Sequence, residues 1–211
     1  AFGQQGTSDF QVVVAIDGST DETEKLLSAL DTPFDLKWIN THCKDYGLAV
    51  ARNQGILAAD GEAVVILDDD SFPEPGFVAA HRSAVRQGVI SGGPRNPSDP
   101  KTSARMAWKM AELARLPALI PLDIGKIQKD YPTAYLIENN ICMLRNDWIA
   151  MGLFSERLRL YGYIGQEFFA RAKHLNIKYQ YNPAAAVVHK GEMEGDNGFH
   201  RSRKNRQTRV A

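Results

Sequence analysis

The run Val64-Val65-Ile66-Leu67 stops at Asp68-Asp69-Asp70, and Ser71-Phe72-Pro73 turns away from it. Consecutive apolar residues, mostly β-branched, read as a strand covered on both faces. Such a strand needs layers on both sides, which points to an α/β architecture. In open sheets of that kind, ligands gather at the carboxyl ends of the strands. Adjacent carboxylates repel one another unless a cation sits among them. A metal ion carrying phosphate is therefore expected beside Asp68 and Asp70. A solvated acidic turn is the plain alternative. An EF-hand loop is excluded, because the sixth and twelfth positions from Asp68 hold Pro73 and Ala79, where Gly and Glu are needed.

The rest of the composition narrows the class. The chain of 211 residues can bury one sizeable core. With 25 basic and 25 acidic residues the formal net charge is zero, so no overall field argues for nucleic acid. Cys43 and Cys142 lie far apart and suit neither a metal clip nor a disulfide framework, which suggests a reducing compartment. No apolar stretch approaches the ~20 residues of a membrane span, and no signal-peptide pattern is visible. The expectation is a cytoplasmic protein. The basic run His200–Arg209 reads as a solvated tail, with peripheral membrane contact as the alternative.

Along the chain, strands are expected at 10–16, 36–39 and 63–67, and helices after Thr20-Asp21-Glu22-Thr23 and over 48–59, the latter ended by Gly61. Strands alternating with helices mean a mostly parallel sheet with crossovers. Ser91–Pro100 reads as a Gly- and Pro-rich loop between two halves of one domain. An amphipathic helix is expected over 102–116, an extended segment over 134–144, short helices over 147–151 and 165–175, and strands over 178–181 and 185–188.

Several of these segments together resemble the family-two glycosyltransferases of the GT-A fold. Asp17-Gly18-Ser19-Thr20-Asp21 is similar to the family's D-G-S-T-D turn, and Gly47–Gly55 to its G-x-x-x-A-R-N-x-G helix start. Ala59-Asp60-Gly61-Glu62 leading to Asp68-Asp69-Asp70 resembles the A-x-G-E strand and the D-x-D motif. Asn140 with Arg145, and Gly152–Leu158, resemble N-x-x-x-x-R and G-G-F-D-E-x-L. Gly165-Gln166-Glu167 stands at the E-D pair, and Val187-Val188-His189 at the strand ending in His. Ile16, Ser155 and Gln166 depart from the pattern. The family's opening strand is not visible before Phe10.

The resemblance implies a single GT-A-like, Rossmann-like nucleotide-binding α/β domain over 1–211. Its parts would be a nucleotide-sugar half at 1–100, an acceptor half at 101–189 and a mobile basic tail at 190–211. It implies an inverting, metal-dependent, hexosyltransferase-like enzyme using a nucleoside-diphosphate sugar, with a UDP-sugar first among donors. The acceptor would be a hydroxyl of a carbohydrate, a lipid-linked molecule or a small molecule. Asp70 and His189 would hold Mn²⁺ or Mg²⁺, the carboxylate–imidazole pair favouring Mn²⁺. Asp68 would meet the ribose or orient the metal site, Asp17 the base or ribose, and Arg52 the diphosphate or Asp68. Glu167 would take the acceptor proton, and the basic tail would fold over the diphosphate. Two other readings stay open: a non-catalytic carbohydrate- or nucleotide-binding domain of degenerate glycosyltransferase type, and a sugar nucleotidyltransferase.

Overall fold

A computed structural model describes residues 1–98, 120–121, 138–159 and 163–190. The amphipathic helix expected over 102–116, the extended residues 134–137 and the basic tail beyond Lys190 lie outside them. After a short 3₁₀ turn at Phe2–Gln4, the order is β1 (Gln11–Ile16), α1 (Thr23–Ala29), β2 (Asp35–Asn40), α2 (Leu48–Ala58), β3 (Ala63–Leu67), β4 (Ser71–Pro73), α3 (Phe77–Ala84), β5 (Val89–Gly92), β6 (Arg95–Pro97), β7 (Ile120–Pro121), β8 (Asn140–Leu144), α4 (Arg145–Ala150), α5 (Ile164–His174), β9 (Lys178–Tyr181) and β10 (Val187–His189).

The central sheet has the order β3-β8-β5-β9-β7. β3 and β5 both run antiparallel to β8, and β5 runs parallel to β9, so β3, β5 and β9 point one way. β8 runs against them, as does β7 against β9. The sheet is therefore a parallel framework with reversed strands inserted. β1 and β2 pair in parallel as a separate two-stranded ladder. A third sheet, β4-β10-β6, closes over the end of β3. The two sequence halves share both larger sheets, because β8 and β9 flank β5, and β10 lies between β4 and β6.

β3 is covered on both faces, as its composition demands. Ile66 and Val64 join a core with Trp148, Phe154 and Phe168, while Val65 and Leu67 pack on Phe77, Ala185 and Val187. That alternation is the two-residue period of a strand. The Trp148, Phe154 and Phe168 rings have centroids 5.0–5.4 Å apart. Trp148 donates its Nε1–H to the Val64 carbonyl, fixing α4 on β3.

Two expectations are corrected. Ser91–Pro100 is not a linker: Ser91 and Gly92 end a fully buried strand, and Arg95–Pro97 pairs in parallel with β10. A Cβ at Gly93 would lie 1.7 Å from the Ala185 carbonyl oxygen, so the glycine serves close packing here rather than a turn. Gly61 does not end α2. The helix stops at Ala58 with an extended Ala59, and Arg145 donates to the Ile56 and Leu57 carbonyls that the helix end leaves open.

Candidate active site

The antiparallel pairing of β3 with β8 sets Leu67 opposite Asn140. The residues after β3 therefore lie beside those before β8. Asp68 meets the 138–139 segment: Asn139 Nδ2 donates to Asp68 Oδ2 at 2.8 Å, and Arg52 Nη2 donates to Asp68 Oδ1 at 2.8 Å. Arg52, from the second turn of α2, also reaches Glu138 Oε1 at 3.3 Å. The Arg52 side chain is only 7% exposed and its guanidinium stands 5.3 Å from the Phe154 ring centre. Burial pulls its pKa down, but the charges and hydrogen bonds of Asp68 and Glu138 more than offset this and hold it raised. Both oxygens of Asp68 are thus engaged.

Asp70 is held differently. The β4–β10 pairing sets His189 opposite Ser71, and His189 Nε2 lies 2.8 Å from Asp70 Oδ2. The Lys190 backbone N–H donates to the Asp70 carbonyl. Arg95 Nη2 stands 3.5 Å from Asp70 Oδ1. Asp69, between them, is exposed. Among the described residues no group of three or more His, Cys, Asp or Glu converges as a complete metal site. The Asp70–His189 pair still fits a divalent ion. Its 2.8 Å separation is close to the roughly 3.0 Å between neighbouring donors of an octahedral ion with ~2.1 Å bonds. The remaining positions would fall to phosphate and water.

The other sequence candidates separate. Asp17, at the end of β1, accepts the Gly47 N–H at 2.9 Å and so ties β1 to the start of α2; its side chain is otherwise exposed. Glu167, in the first turn of α5, has both oxygens on Arg171 at 2.9 Å. Arg171 in turn donates to the Met151 and Leu153 carbonyls. The structure joins Arg52 to Asp68 and Asp70 to His189, and among the described residues Glu167 shares no hydrogen bond or ion pair with either group.

Three residues near the site carried no signal of their own in the sequence. Arg95 lay inside a segment read as a loop. Glu138 and Asn139 precede Asn140, and only the β3–β8 register shows that they border Asp68. Asn139 Oδ1 and Arg95 Nε are buried without a hydrogen-bond partner among the described residues.

Other motif residues act as clamps. Asn53, next to Arg52, donates to the Phe154 carbonyl and to Glu156, and accepts the Phe154 N–H. Asn140 donates to the Pro94 and Ala185 carbonyls and contacts His81 Nε2 at 3.1 Å.

A strand ending in carboxylates, covered by a small sheet that brings a histidine to Asp70, places the candidate site at the carboxyl end of β3 in a mixed α/β domain. The chain belongs to glycosyl transferase family 2, whose model matches residues 2–149. Chondroitin synthase of Escherichia coli is 28% identical over 144 residues, covering 64% of this chain and 21% of that protein. The chain thus spans about a fifth of that relative's length. The mannosyltransferase PcManGT of Pyrobaculum calidifontis, solved with GDP-Man and Mn²⁺, superposes with a TM-score of 0.65 at 18% identity, over 99% of this chain and 55% of that one. TarS 1–349 of S. aureus in complex with UDP-GlcNAc gives 0.63 at 17%, over 90% and 54%. These likenesses confirm the GT-A fold. No helix among the described residues is long and apolar enough to cross a membrane.

Proposed function

We propose that this chain transfers a sugar from a nucleoside-diphosphate donor, with a UDP-sugar first among candidates, to an acceptor hydroxyl. The observation that carries the reading is the Asp70–His189 pair, a carboxylate and an imidazole 2.8 Å apart at the carboxyl end of β3. Those two side chains would hold Mn²⁺ or Mg²⁺, which supplies Lewis-acid neutralisation of the departing diphosphate. Arg95, beside Asp70, pairs with phosphate oxygens. Asp68, with both oxygens engaged by Arg52 and Asn139, orients the metal site rather than meeting the donor itself. Arg52 acts through Asp68, since its Nη2 donates to that carboxylate and its Nη1 to Glu138. Asp17 borders the base or ribose from the end of β1. Glu167 serves as base only if it releases Arg171. Attack opposite the leaving group inverts the anomeric carbon.

The solved relatives named with UDP-GlcNAc and with GDP-Man and Mn²⁺ support a nucleotide-sugar donor. Membership of family 2 argues against a sugar nucleotidyltransferase. One observation favours a binding domain without turnover: the carboxylate expected to act as base is held by both oxygens. Calorimetry with UDP-, GDP- and dTDP-sugars in Mn²⁺ and in EDTA, followed by assay of diphosphate release, separates these readings. Metal-dependent binding with release supports transfer. Binding without release supports the passive domain, and no binding overturns both.

A further inference from the structure

Glycosyl transfer, as proposed, needs a carboxylate to receive the acceptor's proton, and α5 shows where that group stands. Gly165 and Glu167 are two positions apart, so their side-chain directions differ by roughly 200° around the helix. Glu167 points to Arg171, one turn along its own helix. The direction of Gly165 is filled by another residue. A Cβ at Gly165 would lie 2.1 Å from Glu138 Oε2 and 2.6 Å from its Cδ. No larger residue fits at position 165 while Glu138 keeps its place. The missing side chain of α5 is thus replaced by a carboxylate brought from the segment before β8.

We propose that Glu138 is the group that takes the acceptor proton. Its Oε1 is fixed by Arg52 at 3.3 Å, and Arg52 is fixed in turn by Asp68. Its Oε2 has no hydrogen-bond partner among the described residues. The side chain is 23% exposed, so a hydroxyl can reach it. It sits at the first turn of α5, where the helix dipole favours an anion. Glu138 is thereby oriented by one oxygen and free at the other, one guanidinium away from the carboxylate that ends β3. In the step, the acceptor O–H bond breaks and its proton passes to Glu138 Oε2. The acceptor oxygen bonds to the anomeric carbon. The bond from that carbon to the diphosphate breaks, its electron pair leaving on the phosphate oxygen.

The inference rests on the transfer reading, and the test keeps the two apart. Release of nucleoside diphosphate from UDP-, GDP- and dTDP-sugars is measured in Mn²⁺, with water and then with sodium azide as nucleophile. Azide already carries its charge and needs no base. Glu138→Gln keeps an oxygen for Arg52 and removes the base. It should lower release to water by ~10²-fold or more, leave donor affinity within about twofold of wild type, and regain the wild-type rate of glycosyl azide formation. Glu138→Asp, which keeps the charge beside Arg52, should fold as wild type does and release more than Glu138→Gln. Near-wild-type release by Glu138→Gln, a loss that azide does not relieve, an Asp variant no better than Gln, or an azide-relieved loss in Glu167→Gln instead, each overturns the assignment. Absence of release by the wild type overturns the transfer reading itself, and Glu138's role with it.

Discussion

Asp68 and Asp70 stand two residues apart at the end of one strand, yet they are held in opposite ways. Asp68 has one oxygen on a buried arginine and the other on Asn139. Asp70 is more open, with an imidazole on one oxygen, and on the other the Ser71 hydroxyl at 3.2 Å and a long contact to Arg95. The first belongs to the scaffold and the second remains available to a ligand. Other motif positions divide the same way. Arg52 and Asn53 are consecutive, but Arg52 faces the carboxylates and Asn53 clamps the loop at Phe154. A motif in sequence is therefore a mixture of ligand-facing and loop-holding groups, and only side-chain direction separates them.

The largest expected effect breaks the scaffold side. Asp68→Ala leaves Arg52, 7% exposed, with Glu138 as its remaining carboxylate. Removing one partner of a buried ion pair typically costs 3–5 kcal/mol. With Glu138 still in place, urea unfolding at neutral pH should show a loss of about 3 kcal/mol. A loss below about 1 kcal/mol would mean that Asp68 is no more structural than Asp70.

Asp70→Ala should do the reverse. Stability should change by less than about 1 kcal/mol, since the site is partly open. Calorimetric affinity for nucleoside diphosphate in Mn²⁺ should fall by ~10²-fold or more, equivalent to about 2.7 kcal/mol. His189→Ala should weaken binding less, because a neutral ligand contributes less Coulomb attraction. Equal affinity in EDTA and Mn²⁺ for the wild type would remove the distinction between the two carboxylates.

Two histidines extend the contrast. His189 sits against Asp70 at the open end, while His81 is buried against Asn140 and Phe77. Burial pushes His81 down from an ordinary value near 6.5 to about 4, the Asn140 bond acting weakly the other way. The unfolded chain therefore takes up a proton below pH 6.5 that the folded chain refuses until about pH 4. The stabilisation is whole above pH 6.5 and is lost as pH falls toward 4. At pH 5 the loss should be about 2 kcal/mol. Denaturant unfolding at pH 7.5 and pH 5 should show it, and His81→Phe should remove that part of the difference. An unchanged pH difference in the variant would place the titrating group elsewhere.

How much of this was legible in the sequence follows from what each signal depends on. β3 was readable because both of its faces are apolar and its end is charged. β9 was readable because a short alternating run between a helix and a turn has few other options. The Asp70–His189 contact came from the family pattern, since no local rule links residues 119 apart. Ser91–Pro100 was misread because glycine allows close strand packing as well as turns, and the sequence does not say which. Glu138 and Asn139 were invisible for a similar reason: their position beside Asp68 is a consequence of strand register. The bidentate Glu167–Arg171 pair, by contrast, has the i,i+4 spacing of a helix ion pair, and that signal in the sequence went unused.

The smallest expected effect tests the clamp farthest from the ligand end. Arg145 follows β8 directly and sends its guanidinium to the Ile56 and Leu57 carbonyls, the former at 3.2 Å and the latter at 2.8 Å. These belong to the last turn of α2, where a helix leaves its carbonyls without internal partners. α2 has no glycine in the left-handed conformation to close that end, so the cation does it, favoured also by the helix dipole. Part of the guanidinium is open to water, which can replace the lost bonds. Arg145→Ala should therefore cost only about 1 kcal/mol in urea unfolding, and Arg145→Lys about half of that. Nucleoside-diphosphate affinity in Mn²⁺ should stay within about twofold of wild type, because Arg52, in the second turn of α2, is held toward Asp68 and Glu138 by its own ion pairs rather than by the helix end. A marked loss of affinity in Arg145→Ala would mean that fraying of the far end of α2 reaches the carboxylates, and that clamp and ligand site are one unit.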